Sequence, residues 1–183
     1  MNLSRDEAWT ILNSADEVCS AAAVAEAIRR VASEITGVLA QRQPLVLSVM
    51  GGAVVFTGQL LPLLKFPLDF DYIHVSRYDN ETAGGLINWK VAPRENVKGR
   101  TVLVLDDILD EGQTLHAIRG RILNAGAQSF YCAVLADKAT GKEKPIRANF
   151  VGVTVPNRYV FGCGMDAYGT WRNLPAIYAL KQQ

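Results

Sequence analysis

Arg100–Thr114 reads RTVLVLDDILDEGQT. Thr101 to Leu105 is an unbroken run of β-branched and leucine residues with no polar alternation. That composition suits a strand buried on both faces of a parallel sheet. Asp106 and Asp107 follow at its carboxyl end, where open α/β sheets bind their ligands. From Gln113 the period becomes helical: Leu115, Ile118, Ile122 and Leu123 share a face, and Gly126 stands where a helix C-terminus is expected. Asp110 to Thr114 is therefore a turn opening a helix, and the amides of such a turn favour an anion, most naturally a phosphate.

Outward from this stretch the same alternation repeats. Ser4 with Glu7 and Ser14 with Glu17 each read as a capping box, opening a short helix and then a longer one. Val18, Ala21, Val24, Ala25, Ile28, Val31, Ala32, Ile35 and Val38 form the longer helix's apolar stripe, with Glu26, Arg29 and Arg30 toward water. Leu45–Met50 is a buried strand, followed by Gly51, Gly52 and an apolar helix from Ala53 to about Leu64 that Pro62 bends or shortens. Leu68–Ser76 and Leu86–Val91 read as strands around a mobile loop, Arg77–Gly85. Phe130–Leu135 is a further buried strand, ending at Asp137 and Lys138 before a charged loop, Ala139–Arg147. Phe150–Val155, Tyr159–Phe161 and Ala176–Leu180 are short strands. Strands alternating with helices give an α/β fold with a mostly parallel central sheet flanked by helices.

The chain of 183 residues is long enough for one domain with a proper core. Nineteen basic residues against eighteen acidic leave no global field toward nucleic acid or a membrane, so local geometry must hold any anion. Cys19, Cys132 and Cys163 are widely spaced and contain no CxxC pair, which suits reduced thiols in a cytoplasmic protein. The opening residues, MNLSRDEAW, lack the order of a signal peptide.

Two adjacent acids after a strand could be an ordinary polar βα loop. They could also be the metal-holding strand of a phosphate-loop NTPase, but that reading needs a GxxxxGK[ST] segment, and Gly52–Gln59 lacks the lysine. Neighbouring carboxylates are costly unless they face water, a metal or a polyhydroxyl ligand. A sugar phosphate satisfies both the acids and the anion turn.

VLVLDDILDEGQT is similar to the PRPP-binding signature of the type I phosphoribosyltransferases. Asp137–Lys138 and the segment VPNRYVFGCGMDAYGTWRNLP, residues 155–175, resemble the 6-oxopurine branch, the hypoxanthine-guanine phosphoribosyltransferases. The resemblance implies a single domain over residues 1–183, with a core over about 44–155 and a small hood from about 1–15 and 156–183. It also implies Mg²⁺ as cofactor, PRPP and a 6-oxopurine as substrates, and a dimer or tetramer.

By that resemblance Asp106 and Asp107 hold the ribose hydroxyls, partly through magnesium, and Asp110 faces purine N7 as general acid or base, a role compatible with helix capping. Glu111, Gly112, Gln113 and Thr114 bind the 5-phosphate, Glu111 standing where the family has a small hydroxyl residue. Lys138 donates to purine O6, Tyr159 stacks on the base and the Val160 main chain meets its edge. Asp166 lies beside the purine and ligates magnesium on the pyrophosphate side. Met50, Gly51, Arg77, Tyr78 and Arg172 meet pyrophosphate, with Met50 in place of a family lysine and Arg77–Tyr78 in place of Ser-Tyr. A cis peptide is implied between Val49 and Met50. The expectation is Mg-dependent transfer of phosphoribose to hypoxanthine or guanine. Its rivals are a xanthine-preferring transferase and a non-catalytic PRPP-binding regulator.

Overall fold

A computed structural model describes residues 3–77, 87–93 and 96–181. Its elements in chain order are α1 (Arg5–Ser14), β1 (Asp16–Cys19), α2 (Ala21–Leu39), β2 (Leu45–Met50), α3 (Val54–Leu60), a 3₁₀ turn (Leu61–Leu63), β3 (Asp69–Arg77) and β4 (Ile87–Val91). They continue with β5 (Thr101–Leu109), α4 (Gln113–Asn124), β6 (Ser129–Ala139), β7 (Phe150–Pro156), β8 (Val160–Phe161) and β9 (Ile177–Ala179). A six-stranded sheet has the order β4-β3-β2-β5-β6-β7, parallel except for β4, and a small antiparallel sheet has the order β1-β9-β8.

The uniformly apolar strands are buried on both faces, and alternate residues serve different layers. Val46, Leu103 and Leu105 pack with Ile28, Ile35, Phe56 and Leu60 from α2 and α3. Leu45, Leu47, Val102 and Val104 pack with Leu115, Ile118 and Ile122 of α4. This period-two division places helices on both sides of the sheet and leaves the strand ends open between them. Val160, Ile177 and Ala179 of the small sheet join the α2 and α3 cluster, so one apolar body runs from the main sheet to the smaller one.

Several local expectations are corrected. The Ser4–Glu7 capping box is present at α1. Ser14, however, ends α1, and Ser20 caps α2 by accepting from the Ala23 amide at 3.2 Å. Residues Asp16–Cys19, Val18 included, are drawn into a strand by Ile177–Ala179, a partner at the far end of the chain. Arg30 does not simply face water: it pairs with Glu34 and donates to the carbonyl of Gly152 on edge strand β7. β5 extends past the acids to Leu109 because β6 continues to pair with it, and Asp137 and Lys138 lie within β6 because β7 does the same for them. α3 gives way at Leu61 to the 3₁₀ turn containing Pro62. The expected loop from Arg77 to Gly85 lies outside the described residues beyond the main chain of Arg77, which ends β3. Among the described residues no helix is long and apolar enough to cross a membrane.

Candidate active site

The site lies at the carboxyl ends of β2, β5 and β6, beneath the small sheet. Asp106 is buried, and its carboxylate accepts from the Asp107 amide at 3.0 Å; the Asp107 carboxylate accepts from the Ile108 amide at 2.8 Å. Burial pushes the Asp106 carboxyl well above its usual range, and the Asp107 charge adds to this. Burial also raises Asp107, against the lowering influence of its hydrogen bonds with Asp106 and the Ile108 amide and of the Arg172 charge. Two carboxyls held this way favour a proton, a cation or hydroxyl groups beside them.

Gly52, in the turn that follows β2, lies directly against Asp107. A Cβ at Gly52 would overlap the Asp107 carboxylate, and a Cβ at Gly164, where φ is +104°, would overlap the Gly52 carbonyl. Two glycines therefore let the 162–165 segment, the β2 turn and Asp107 stack without side chains between them. The cis peptide of this turn joins Met50 and Gly51, one residue later than the Val49–Met50 bond expected from the family resemblance.

The anion turn follows. Gly112, with φ of +81°, is the N-cap of α4, and no side chain caps that helix. Asp110 is thus not the helix cap. Glu111 and Gln113 are exposed, Gly112 is buried and Thr114 is half-buried. A cavity of about 470 Å³ opens here, lined in part by Asp106, Asp107, Asp110, Gly112, Thr114 and Asp166.

Asp110 reaches the other way. Its Oδ2 accepts from the Lys138 ammonium at 2.5 Å, joining the ends of β5 and β6. Beside this pair is a second cavity of about 220 Å³, lined also by Tyr159, Val160, Met165 and Asp166. The Tyr159 ring stacks on Tyr168, with centroids 5.6 Å apart and planes 14° from parallel, and burial raises the pKa of its hydroxyl. The two cavities share Asp107, Ile108, Asp110 and Asp166 as a common wall.

Asp166 and Arg172 form an ion pair of 2.5 Å; Arg172 also donates to the Gly164 carbonyl at 2.6 Å, and Asp166 accepts from the Gly169 amide at 2.8 Å. Among the described residues no three His, Cys, Asp or Glu side chains cluster as a metal cage. The Asp106–Asp107 pair, buried at Asp106 and half-buried at Asp107, still fits magnesium, which is commonly held by one or two carboxylates and completes its shell with water and substrate oxygens. The Arg77 side chain and Tyr78 lie outside the described residues.

The structure thus gathers Asp106, Asp107, Asp110, Gly112, Thr114, Lys138, Tyr159, Val160 and Asp166 around the two cavities, with Arg172 paired to Asp166. The sequence reading missed Gly164 and Tyr168. Nothing local marks Tyr168, whose φ of +50° turns its ring onto a residue nine positions earlier. Gly164 stands in a glycine-rich tail, a weak signal of close backbone approach.

Comparison with known proteins matches residues 14–167 to the phosphoribosyl transferase domain. The chain is 34% identical over 161 residues to a hypoxanthine-guanine phosphoribosyltransferase of Streptococcus pneumoniae, covering 87% of this chain and 89% of that one. It is 35% identical over 156 residues to a hypoxanthine-guanine-xanthine phosphoribosyltransferase of Tritrichomonas foetus, covering 85% of each. Among solved structures, a Bacillus anthracis hypoxanthine-guanine phosphoribosyltransferase superposes with a TM-score of 0.85 at 27% identity, covering 91% of this chain and 98% of that one. With an acid pair near the end of β5, a helix turn without a side-chain cap beside it and this similarity across most of its length, the chain belongs to the phosphoribosyltransferase family, in its hypoxanthine-guanine branch.

Proposed function

We propose that this enzyme transfers 5-phosphoribose from PRPP to hypoxanthine or guanine, releasing pyrophosphate and forming IMP or GMP in purine salvage. The observation that carries this reading is the shared wall: a polar cavity beside the anion turn and a smaller one beside Lys138 meet at Asp110. A transfer between two ligands needs such a junction.

The larger cavity takes the phosphoribosyl group, with its phosphate at the amides of Glu111–Thr114 and its ribose hydroxyls toward Asp106 and Asp107. Those carboxylates, with Asp166, would hold Mg²⁺, which when bound screens the charge of the departing pyrophosphate. Arg172, Met50, Gly51, Arg77 and Tyr78 are assigned to the pyrophosphate side. The smaller cavity takes the base, stacked on Tyr159, with the Val160 main chain at its edge.

On the edge of a 6-oxopurine O6 and N7 lie side by side, whereas adenine offers a 6-amino donor there. An ammonium has donors only, so Lys138 selects the oxo group. Asp110 accepts the proton from N7 as the N9 electron pair forms the bond to C1 of the ribose and the C1–O bond to pyrophosphate breaks. The charge of Asp106 and Asp107 favours the cationic sugar in between.

A xanthine-preferring transferase is the second reading, suggested by the Tritrichomonas foetus relative, which is named for xanthine beside hypoxanthine and guanine. Incubating the purified protein with PRPP, Mg²⁺ and hypoxanthine, guanine, xanthine or adenine in turn tests all of this. Nucleotide and pyrophosphate are expected with the first two bases; xanthine as the preferred base supports the second reading, and no turnover with any base leaves a PRPP-binding regulator. The same proposal takes residues 1–183 as one cytoplasmic, homo-oligomeric phosphoribosyltransferase domain. Val38 of α2, Val54 of α3 and Leu63 of the 3₁₀ turn are exposed apolar side chains of the kind an oligomer would cover.

A further inference from the structure

Lys144 lies in the segment between β6 and β7, and its side chain is only 13% exposed. Its ammonium donates to the Leu109 carbonyl at 2.8 Å, to the Lys138 carbonyl at 2.7 Å and to Asp137 Oδ1 at 2.5 Å. An ammonium has three donors, and here all three are used. The β5–β6 ladder ends at the pair Leu109 and Asp137, so Lys144 bridges the two strands at the point where backbone pairing stops. Leu109 directly precedes Asp110, and Lys138 is its ion-pair partner. The ammonium therefore grips the main chain on both sides of the Asp110–Lys138 pair without lining the smaller cavity itself.

We propose that Lys144 is a positioning residue for purine recognition: by pinning the Leu109 and Lys138 carbonyls it holds Asp110 and Lys138 at the spacing of the O6 and N7 edge. The inference rests on the purine reading of the smaller cavity. Asp137 keeps the buried cation paired, since an uncompensated charge there would be costly.

The neighbouring residues supply a control. Pro145 and Ile146 back the anion turn: a Cβ at Gly112 would meet Ile146 Cγ2 at 3.3 Å and Pro145 Cδ at 3.4 Å. A substitution that merely loosened the 144–146 segment would disturb the phosphate turn together with the purine side. Loss of the pin alone would disturb only the purine side.

The test is steady-state kinetics of Lys144→Met, which keeps the stem and removes the donors, with hypoxanthine and PRPP varied separately. The expected result is a KM for hypoxanthine raised by about 10- to 100-fold, the scale of a small misplacement of binding groups, with the KM for PRPP within about 2-fold of wild type. Both constants rising together, or neither moving, overturns the proposal. If the Met variant does not fold, Lys144→Gln, which keeps two donors, takes its place under the same criteria. If neither folds, Lys144 is structural and the assignment is overturned.

Wild-type protein that turns over no purine speaks against the transferase reading, not the pin, which amide exchange of Lys144→Met then reads directly. Faster exchange at residues 108–110 and 137–139 without acceleration at 112–115 supports the pin; uniform or absent acceleration overturns it.

Discussion

The carboxylate of Asp110 and the ammonium of Lys138 meet at 2.5 Å, although one stands at the end of β5 and the other near the end of β6. The pair lies at the boundary of the two cavities. Under the proposed assignment each partner exchanges this bond for one with the purine, so the base enters without leaving the buried Lys138 ammonium unpaired.

Asp110→Asn keeps the shape of this site but removes the proposed proton acceptor. Turnover is expected to fall by about 10²- to 10⁴-fold, the usual worth of general acid–base catalysis, while the Kd for PRPP changes far less. Single-turnover kinetics and calorimetry on the same variant check this; equal losses in both would return Asp110 to a structural role.

Lys138→Gln replaces a donor-only group with one that also accepts. Hypoxanthine should bind about 10- to 150-fold more weakly, from the loss of a charged hydrogen bond of roughly 1.5–3 kcal/mol. Discrimination against adenine should narrow, because the amide oxygen can face a 6-amino group. Competition between the two bases for PRPP measures the ratio.

Gly164→Ala should damage the site from a distance. The residue has φ of +104°, and its new Cβ would run into the Gly52 carbonyl, which backs Asp107. Strain of this kind costs about 1–3 kcal/mol, roughly 2–12 °C in Tm for a chain of this size. Activity should fall with it; a Tm and turnover matching wild type would show that the three-layer contact is dispensable.

Asp106→Asn should separate stability from function. Burial raises the Asp106 carboxyl pKa above its unfolded value. Its contribution is therefore fully present below the unfolded pKa, about 3.9, and is lost as pH rises through the raised folded value. At neutral pH the metal-free protein carries this loss, and the Asn variant does not. Its metal-free Tm should exceed that of wild type by about 2–4 °C per kcal/mol recovered, with the difference vanishing toward low pH. Transfer activity should nearly disappear. Thermal melts across a pH series in the presence of a chelator test the sign.

How much of this was legible in the chain varies with the range of the forces involved. The β5 run, the α4 period and the Ser4 cap are set by residues within a few positions of one another, and they form where local pattern places them. Ser14 has the same local signature as Ser4 and caps nothing, because pairing with Ile177–Ala179 takes the following residues into a strand. β5 and β6 likewise run beyond the ends that local pattern gives them, since how far each extends depends on its neighbours.

From the sequence alone came the parallel α/β layout, the acid pair at a strand end, the glycine turn and, through resemblance, the family. These rest on period, composition and short motifs, which act along the chain. Tertiary structure alone decided that Asp110 is bound to Lys138 and not used as a cap, that Gly164 seats Gly52 on Asp107, that Tyr168 backs Tyr159 and that Lys144 closes the β5–β6 ladder. Each joins residues from separate segments, and their proximity depends on the packed sheet and on burial, which no window of sequence contains.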